Sequence, residues 1–196
     1  MATFTHLTGR DYRSMPWKNG GGTTTEIAVE PDGAGGFLWR LSIADVAASG
    51  PFSDFGGHDR TILLLDGPGF ILHFAEAPSR RVDRRLEPFT FDGGWRAECE
   101  LVDGPVRDLN MMTSRSKFDG WLRVLRLGRG ERIQELLAEV GLVHLIEGTV
   151  ETGAFRLLAG DTLRADGCRD ELLAIAASTD AVAVLVTLRR KDQDRK

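Results

Sequence analysis

The 196-residue chain has no apolar run of the ~18 residues that a membrane-spanning helix requires, so no membrane partner is expected. Its opening, MATFTHLTGRDYRS, lacks the basic-then-apolar pattern of a signal peptide, which points to a cytoplasmic protein. Cysteine is scarce: Cys99 and Cys168 stand far apart and match no paired spacing. A disulfide framework is therefore excluded; two reduced thiols account for them best, and a single disulfide stays open. Basic excess is missing too. With 25 Lys and Arg against 29 Asp and Glu, the net charge is −4, which argues against a nucleic-acid partner. The four histidines, His6, His58, His73 and His144, are scattered singly. There is no GxSxG, and neither cysteine has a histidine beside it, so no nucleophile is signalled.

Hydrophobic residues at 42% suffice for a core, and the length fits one domain or two small ones. The punctuation is that of a β protein: short apolar or alternating runs are separated by PDGAGG, DGPG, FDGG, VDGP and LAGD. TTTEIAVE and FLWRLSIADV read as two strands joined by PDGAGG. In the second, Phe37, Trp39, Leu41 and Ile43 share one face, and Leu38, Arg40, Ser42 and Ala44 the other. One segment argues for helix: Ile133, Leu136, Leu137 and Val140 in ERIQELLAEV follow helical spacing. Without long helices alternating with strands, a parallel α/β sheet is not expected. LLLDG at 63–67 and HLIEG at 144–148 form a loose repeat, which suggests two closed barrels or jelly rolls in tandem. The closing residues 191–196 read as a frayed, solvated tail.

PWKNGGGTTTEIAVEP, residues 16–31, looks at first like a phosphate loop. A P-loop, however, places its lysine after the glycines at the start of a helix, whereas Lys18 precedes them and a strand follows. The triple glycine is not a dinucleotide fingerprint either. What the segment does assemble is an aromatic ring, an ammonium, an amide and glycine backbone that a ligand can approach closely. That set suits a small carboxylate. A flexible turn with a solvated lysine is the plainer alternative.

PWKNGGGTTTEIA, WRLSIADVAASGPFSDFGGHDRTILLLDG, LVDGPVRDLNMM and HLIEGTVE…LLAGDTLRA together resemble the HutD/Ves family of bicupin proteins, over nearly the whole chain. The resemblance implies an all-β fold of two cupin-like barrels (double-stranded β-helix, or jelly roll) in tandem. Residues 1–113 would form the N-terminal barrel with the WKNGGG motif, and 114–190 the C-terminal one. It also implies a small-molecule binding or regulatory role in histidine utilisation, with N-formylglutamate as the candidate ligand and no established reaction. The ligand-binding residues carried over are Trp17, Lys18, Asn19, Thr24, Glu26, Arg40, Arg60 and Asn110. Many cupins hold a metal with an HxH pair, a glutamate and a later histidine. Aligning Gly67 with the last glycine of that pattern puts Arg60 at the glutamate position, with no HxH upstream. An arginine is always protonated and cannot ligate a metal, so a metal-free pocket without cofactor is expected. The guanidinium would instead grip a carboxylate.

Each candidate also has a plainer reading. Arg40 could sit on a solvated face, Arg60 could pair with Asp59 or Glu26, Trp17 could be core, and Asp108 and Asn110 could form a turn. Glu26 could orient Lys18 or Arg40, or face water. His58 is read as a surface residue. Three functions compete: a metal-free binder of an anionic metabolite, best a dicarboxylate; a cofactor-independent hydrolase or isomerase using Lys18 or Glu26; and an interaction scaffold. A symmetric homodimer stays open.

Overall fold

The computed structural model describes residues 2–191, which form nineteen β-strands and no helix. They are β1 (Thr3–Leu7), β2 (Arg13–Pro16), β3 (Gly22–Pro31), β4 (Phe37–Val46), β5 (Gly50–Phe52), β6 (His58–Asp66) and β7 (Phe70–Phe74). Then come β8 (Arg80–Val82), β9 (Phe89–Asp92), β10 (Ala97–Leu101), β11 (Val106–Ser114), β12 (Phe118–Leu127) and β13 (Arg132–Leu137). The chain finishes with β14 (Val140–Glu147), β15 (Thr149–Thr152), β16 (Phe155–Leu158), β17 (Thr162–Asp166), β18 (Glu171–Ala177) and β19 (Ala181–Arg190). The tail read as frayed, 191–196, lies outside the described residues except for Lys191.

Two compact units result, one of residues 13–117 and one of residues 2–12 with 118–191. Residues 2–12, expected with the first unit, belong to the second because β1 pairs antiparallel with β17, from Thr3 opposite Asp166 to Leu7 opposite Thr162. In the first unit the sheet orders are β2-β3-β4-β11-β6-β9 and β5-β10-β7-β8. In the second they are β1-β17-β14-β19-β12 and β13-β18-β15-β16. Adding eight to each label of β4-β11-β6-β9 and β5-β10-β7-β8 reproduces the second unit's order for every strand but β1. The loose repeat in the sequence is thus a full topological one: LLLDG ends β6 and HLIEG ends β14. Each unit is a jelly roll of two separate sheets rather than a closed barrel. Burying each large aliphatic side chain between the sheets contributes on the order of 1.5–3 kcal/mol. Ile62, Leu64, Phe70, Leu72 and Val106 fill the first core, and Leu145, Val150, Leu157, Leu163 and Ile175 the second.

The helix expected over ERIQELLAEV is not formed. Its first part is β13, paired with β18 over six residues from Arg132 opposite Ala176 to Leu137 opposite Glu171. Burial there alternates with period two: Leu137 is 1% exposed and Leu136 51%. β13 occupies the place of β5 in the repeat, and the long-range ladder with β18 overrides the local spacing. In β4 both faces are covered. The Arg40–Ser42–Ala44 face looks between the sheets, with Ala44 in the core, while Trp39, Leu41 and Ile43 are buried on the opposite face.

Candidate functional site

The inward faces of β3, β4, β11, β6 and β9 carry the site. Pairing puts Arg40 opposite Met112, Met112 opposite Arg60 and Arg60 opposite Phe91, so one row crosses four strands. The next row holds Glu26, Ser42, Asn110 and Ile62, and the row beyond it Thr24, Ala44, Asp108 and Leu64. Because alternate residues share a face, the two arginines stand two strands apart, roughly 10 Å between backbones, and point the same way. They open on a cavity of about 550 Å³. Its polar lining is Lys18, Asn19, Thr24, Arg40, Ser42, Ser53, Arg60 and Asn110; its apolar lining includes Met15, Trp17, Phe52, Phe55 and Met112.

Arg60 is only 6% exposed. Its Nε and Nη2 both donate to Asn110 Oδ1, at 2.9 and 2.6 Å, and its guanidinium carbon lies 4.2 Å from the centre of the Phe52 ring. The Asn110 amide nitrogen in turn donates to Asp108 Oδ1. Burial lowers Arg60 to about 10, with Asp108 opposing that shift and Arg40 adding to it; the group stays cationic at neutral pH. Half-buried Arg40 stacks on Phe37 at 4.6 Å and Phe55 at 5.0 Å, and its Nη2 lies 3.6 Å from Met112 Sδ. Its Nε is buried without a hydrogen-bond partner, and burial lowers its pKa against the pull of Glu26. Among the described residues neither arginine forms an ion pair. Asp59, one candidate for neutralising Arg60, pairs with Arg115 instead.

The glycine motif builds the wall next to this floor. Trp17 donates its indole N–H to Thr24 Oγ1 at 2.8 Å and packs on the core, so its binding and core readings coexist. Gly20 takes a positive φ of 71° and donates to the Trp17 carbonyl, closing the tight turn between β2 and β3. The Gly21 carbonyl accepts from the amides of Ala47 and Ala48. Gly22 leaves no room for a side chain, since a Cβ there would collide with the Asp45 carbonyl and lie 3.1 Å from the Trp17 ring. The glycine amides expected to meet a ligand are in part already used: Gly20 bonds to Trp17, and Gly21 to Asn19 Oδ1 at 3.0 Å. Asn19 thus lines the cavity with its side-chain oxygen already engaged by the Gly21 amide. Lys18 is exposed, lines the cavity, and has no partner among the described residues.

Seven of the eight residues carried over from sequence, Trp17, Lys18, Asn19, Thr24, Arg40, Arg60 and Asn110, line this one cavity. Glu26 does not; it acts on Arg40 by charge from the neighbouring strand. Asp108 and Asn110 are no turn formers but lie mid-strand in β11, 0% and 2% exposed. Sequence reasoning missed Ser42, Phe52, Phe55 and Met112. Only the alternation of Ser42 with Arg40 was a usable signal; Phe52, at the end of the short strand β5, and Phe55 in the loop after it carried none. His58 is partly buried and bonds to the Phe37 carbonyl at 2.9 Å. No group of three or more His, Cys, Asp or Glu side chains is placed to hold a metal among the described residues.

The HutD family model matches residues 9–184. An uncharacterized 21.2 kDa protein in the hutC 3' region of Pseudomonas putida is 36% identical over 177 residues, 86% of this chain and 90% of that protein. Protein Ves of Citrobacter koseri is 36% identical over 155 residues, 77% of this chain and 78% of that one. The structure of HutD from Pseudomonas fluorescens, solved in a formate condition, aligns with a TM-score of 0.83 at 34% identity, covering 97% of this chain and 100% of the other. More distant likenesses show the shared cupin fold alone. They include a bacterial pirin from Escherichia coli (TM-score 0.72, 13% identity, 94% of this chain and 98% of that one). Oxalate decarboxylase from Lactobacillus farciminis gives a TM-score of 0.66 at 8% identity, over 95% of this chain and 86% of that one.

Proposed function

This chain belongs to the HutD family, and we propose that it binds a small anionic metabolite, best a dicarboxylate, as a metal-free sensor or regulator in histidine utilisation. One observation carries the reading: two guanidinium groups, Arg40 and Arg60, face a single cavity and neither is ion-paired among the described residues. Burying a cation costs several kcal/mol unless it is compensated. Stacking on Phe52, Phe37 and Phe55 recovers part of that, about 0.5–2 kcal/mol for each cation–π contact according to its exposure. An anion seated between the arginines supplies the rest, and the planar guanidinium fork suits a carboxylate. Lys18 at the exposed edge provides a third cation, so a ligand with two carboxylates uses the site more fully than one with a single carboxylate.

N-Formylglutamate is the leading candidate. It has two carboxylates, no ammonium to be repelled by the three cations, and a formamide oxygen that the Asn19 N–H₂ can meet. The place of the Pseudomonas putida relative beside hutC supports a role in histidine utilisation. Calorimetry with N-formylglutamate, glutarate, glutamate, urocanate and histidine tests the reading, with NMR of each mixture after overnight incubation. Saturable binding that favours the dicarboxylates, with ligand unaltered, is the expected result. Conversion of N-formylglutamate to glutamate and formate would make the protein a hydrolase instead. Equal or absent binding across the panel would overturn the proposal.

A further inference from the structure

Beneath the cavity lies a carboxyl group that the binding of an anion does not obviously need. Asp108 is 0% exposed, flanked in the sheet by Ala44 on β4 and Leu64 on β6. Its Oδ1 accepts from Asn110, and its Oδ2 is buried with no hydrogen-bond partner. Asn110 joins it to Arg60: one side of the amide accepts from the guanidinium, the other donates to the carboxylate. We propose that Asp108 is the internal counter-ion of this anion site, and that an anion binding at Arg60 drives a proton onto Asp108. The inference rests on the reading that the cavity binds an anion, and adds to it the group that sets its pH dependence.

Charge balance in a poorly solvated space drives the coupling. With the cavity empty, the buried charges are those of Arg40, Arg60 and Asp108. The other ionisable groups that act on Asp108 change this little. Cys99 on β10 is a neutral thiol, pushed up to about 12 by burial. Asp45 on β4 repels Asp108 weakly and is itself paired with Arg107 at 3.0 Å. Glu26 on β3 acts on Arg40. Arg60 is thus the main cation that favours ionised Asp108. An incoming carboxylate at Arg60 competes for that same positive field and adds a negative charge nearby, and both effects raise the affinity of Asp108 for a proton. Oδ2 is where the proton goes: an orphaned hydroxyl is less costly to bury than an orphaned charged oxygen. The starting balance is already close. Burial pushes Asp108 up to about 7 even though Arg60 and Asn110 pull it down, so a further negative charge moves the titration above neutrality.

One proton then passes from solvent to Asp108 for each anion bound, when the pH lies between the titration of the empty and of the occupied site. Below that window Asp108 is protonated in both states, and affinity is at its plateau. Through the window affinity falls with rising pH, in total by about tenfold for each pKa unit by which the anion raises Asp108. Above it Asp108 is ionised in both states, and affinity is flat again.

Calorimetry of glutarate binding to the whole protein tests this, in two buffers of unlike ionisation enthalpy, from about pH 6.5 to about pH 8.5, where glutarate itself stays a dianion. The expected result is a buffer-dependent heat that reports proton uptake above pH 7, together with an affinity that falls as pH rises. Asp108→Asn should remove the pH dependence and bind glutarate at least as tightly as the wild type at the alkaline end. Should that variant fail to fold, infrared difference spectra of wild-type protein labelled with ¹³C-aspartate answer the same question, by the appearance of a protonated carboxyl band when glutarate is added. Glutarate binding without proton uptake, or pH dependence that persists in Asp108→Asn, overturns the coupling and leaves the anion site standing. No glutarate binding at any pH overturns the anion site and the coupling with it.

Discussion

Arg60 and Asn110, fifty residues apart in the chain, are joined by two hydrogen bonds that converge on a single amide oxygen, at 2.9 and 2.6 Å. A neutral amide is what orients the buried guanidinium, so the arginine is held without being neutralised. Its positive charge stays available to whatever enters the cavity, and the carboxylate of Asp108 is kept one side chain away.

Replacing the amide by a carboxylate should therefore silence the site from within. Asn110→Asp puts a negative charge directly on Arg60, and glutarate affinity is expected to fall by tenfold or more while the fold is retained, as checked by calorimetry and circular dichroism. Asn110→Ala acts differently. It strips Arg60 and Asp108 of their shared partner, and leaving a buried polar group unsatisfied costs about 1–3 kcal/mol in denaturant unfolding. Unchanged binding in Asn110→Asp would mean that anions do not use Arg60.

Two neighbouring glycines should separate by mechanism. Gly20→Ala meets no atom within 4 Å but must adopt a φ of 71°, which costs about 1–2 kcal/mol for a residue with a Cβ. Gly22→Ala drives a methyl into the Asp45 backbone carbonyl and the Trp17 ring, so strand β3 must shift. Overpacking of this kind costs about 1–3 kcal/mol, and here it also displaces Trp17 from the cavity wall. Chemical denaturation gives the stability of each variant. Glutarate binding should survive in Gly20→Ala and weaken in Gly22→Ala.

Lys18 carries no structural duty among the described residues, and Lys18→Ala should change stability by no more than about 0.5 kcal/mol. Its loss should weaken a dicarboxylate more than a monocarboxylate. Because the ammonium is exposed, the difference should shrink as salt rises to about 1 M, where screening reaches only about 3 Å. Calorimetry with glutarate and butyrate at low and high salt distinguishes this from a passive surface lysine.

Asp108 should also shape the pH dependence of stability. Its pKa is raised to about 7 in the folded protein, against about 3.9 in an unfolded chain. Between those values the folded state holds the extra proton, so this group's contribution is full below about pH 4 and is lost as pH rises through about 7. In urea titrations at several pH values, the stability of Asp108→Asn relative to wild type should improve steadily from pH 4 to pH 7. A constant difference would show that Asp108 does not titrate there.

Much of this architecture is legible in residue order because its causes are local. Turn signals such as DGPG and LAGD, set between short alternating runs, impose strands and exclude long helices. The segment from Trp17 to Ile27 stands out in the sequence for a local reason, since its turn needs Gly20 at positive φ and Gly22 against a backbone carbonyl. The lack of histidine clusters likewise sets the expectation of a metal-free pocket.

What the chain order could not supply is the outcome of non-local pairing. ERIQELL satisfies a helical spacing and becomes a strand because β18, distant in the chain, offers it a ladder that includes the Ile133–Ile175 pair. Alternation in FLWRLSIADV defines two faces of β4 but not which of them looks between the sheets, and the polar one does. Asp108 reads as a turn residue until β4 and β6 close on either side of β11 and take its carboxylate out of water. By itself the sequence determined the β class, most of the strands outside ERIQELL, the tight glycine turn and the cations available to an anion. Only the tertiary structure decided which cations meet and which carboxylate lies beneath them, because register between distant strands sets the separation, and burial sets the charge, of groups that are ordinary when solvated.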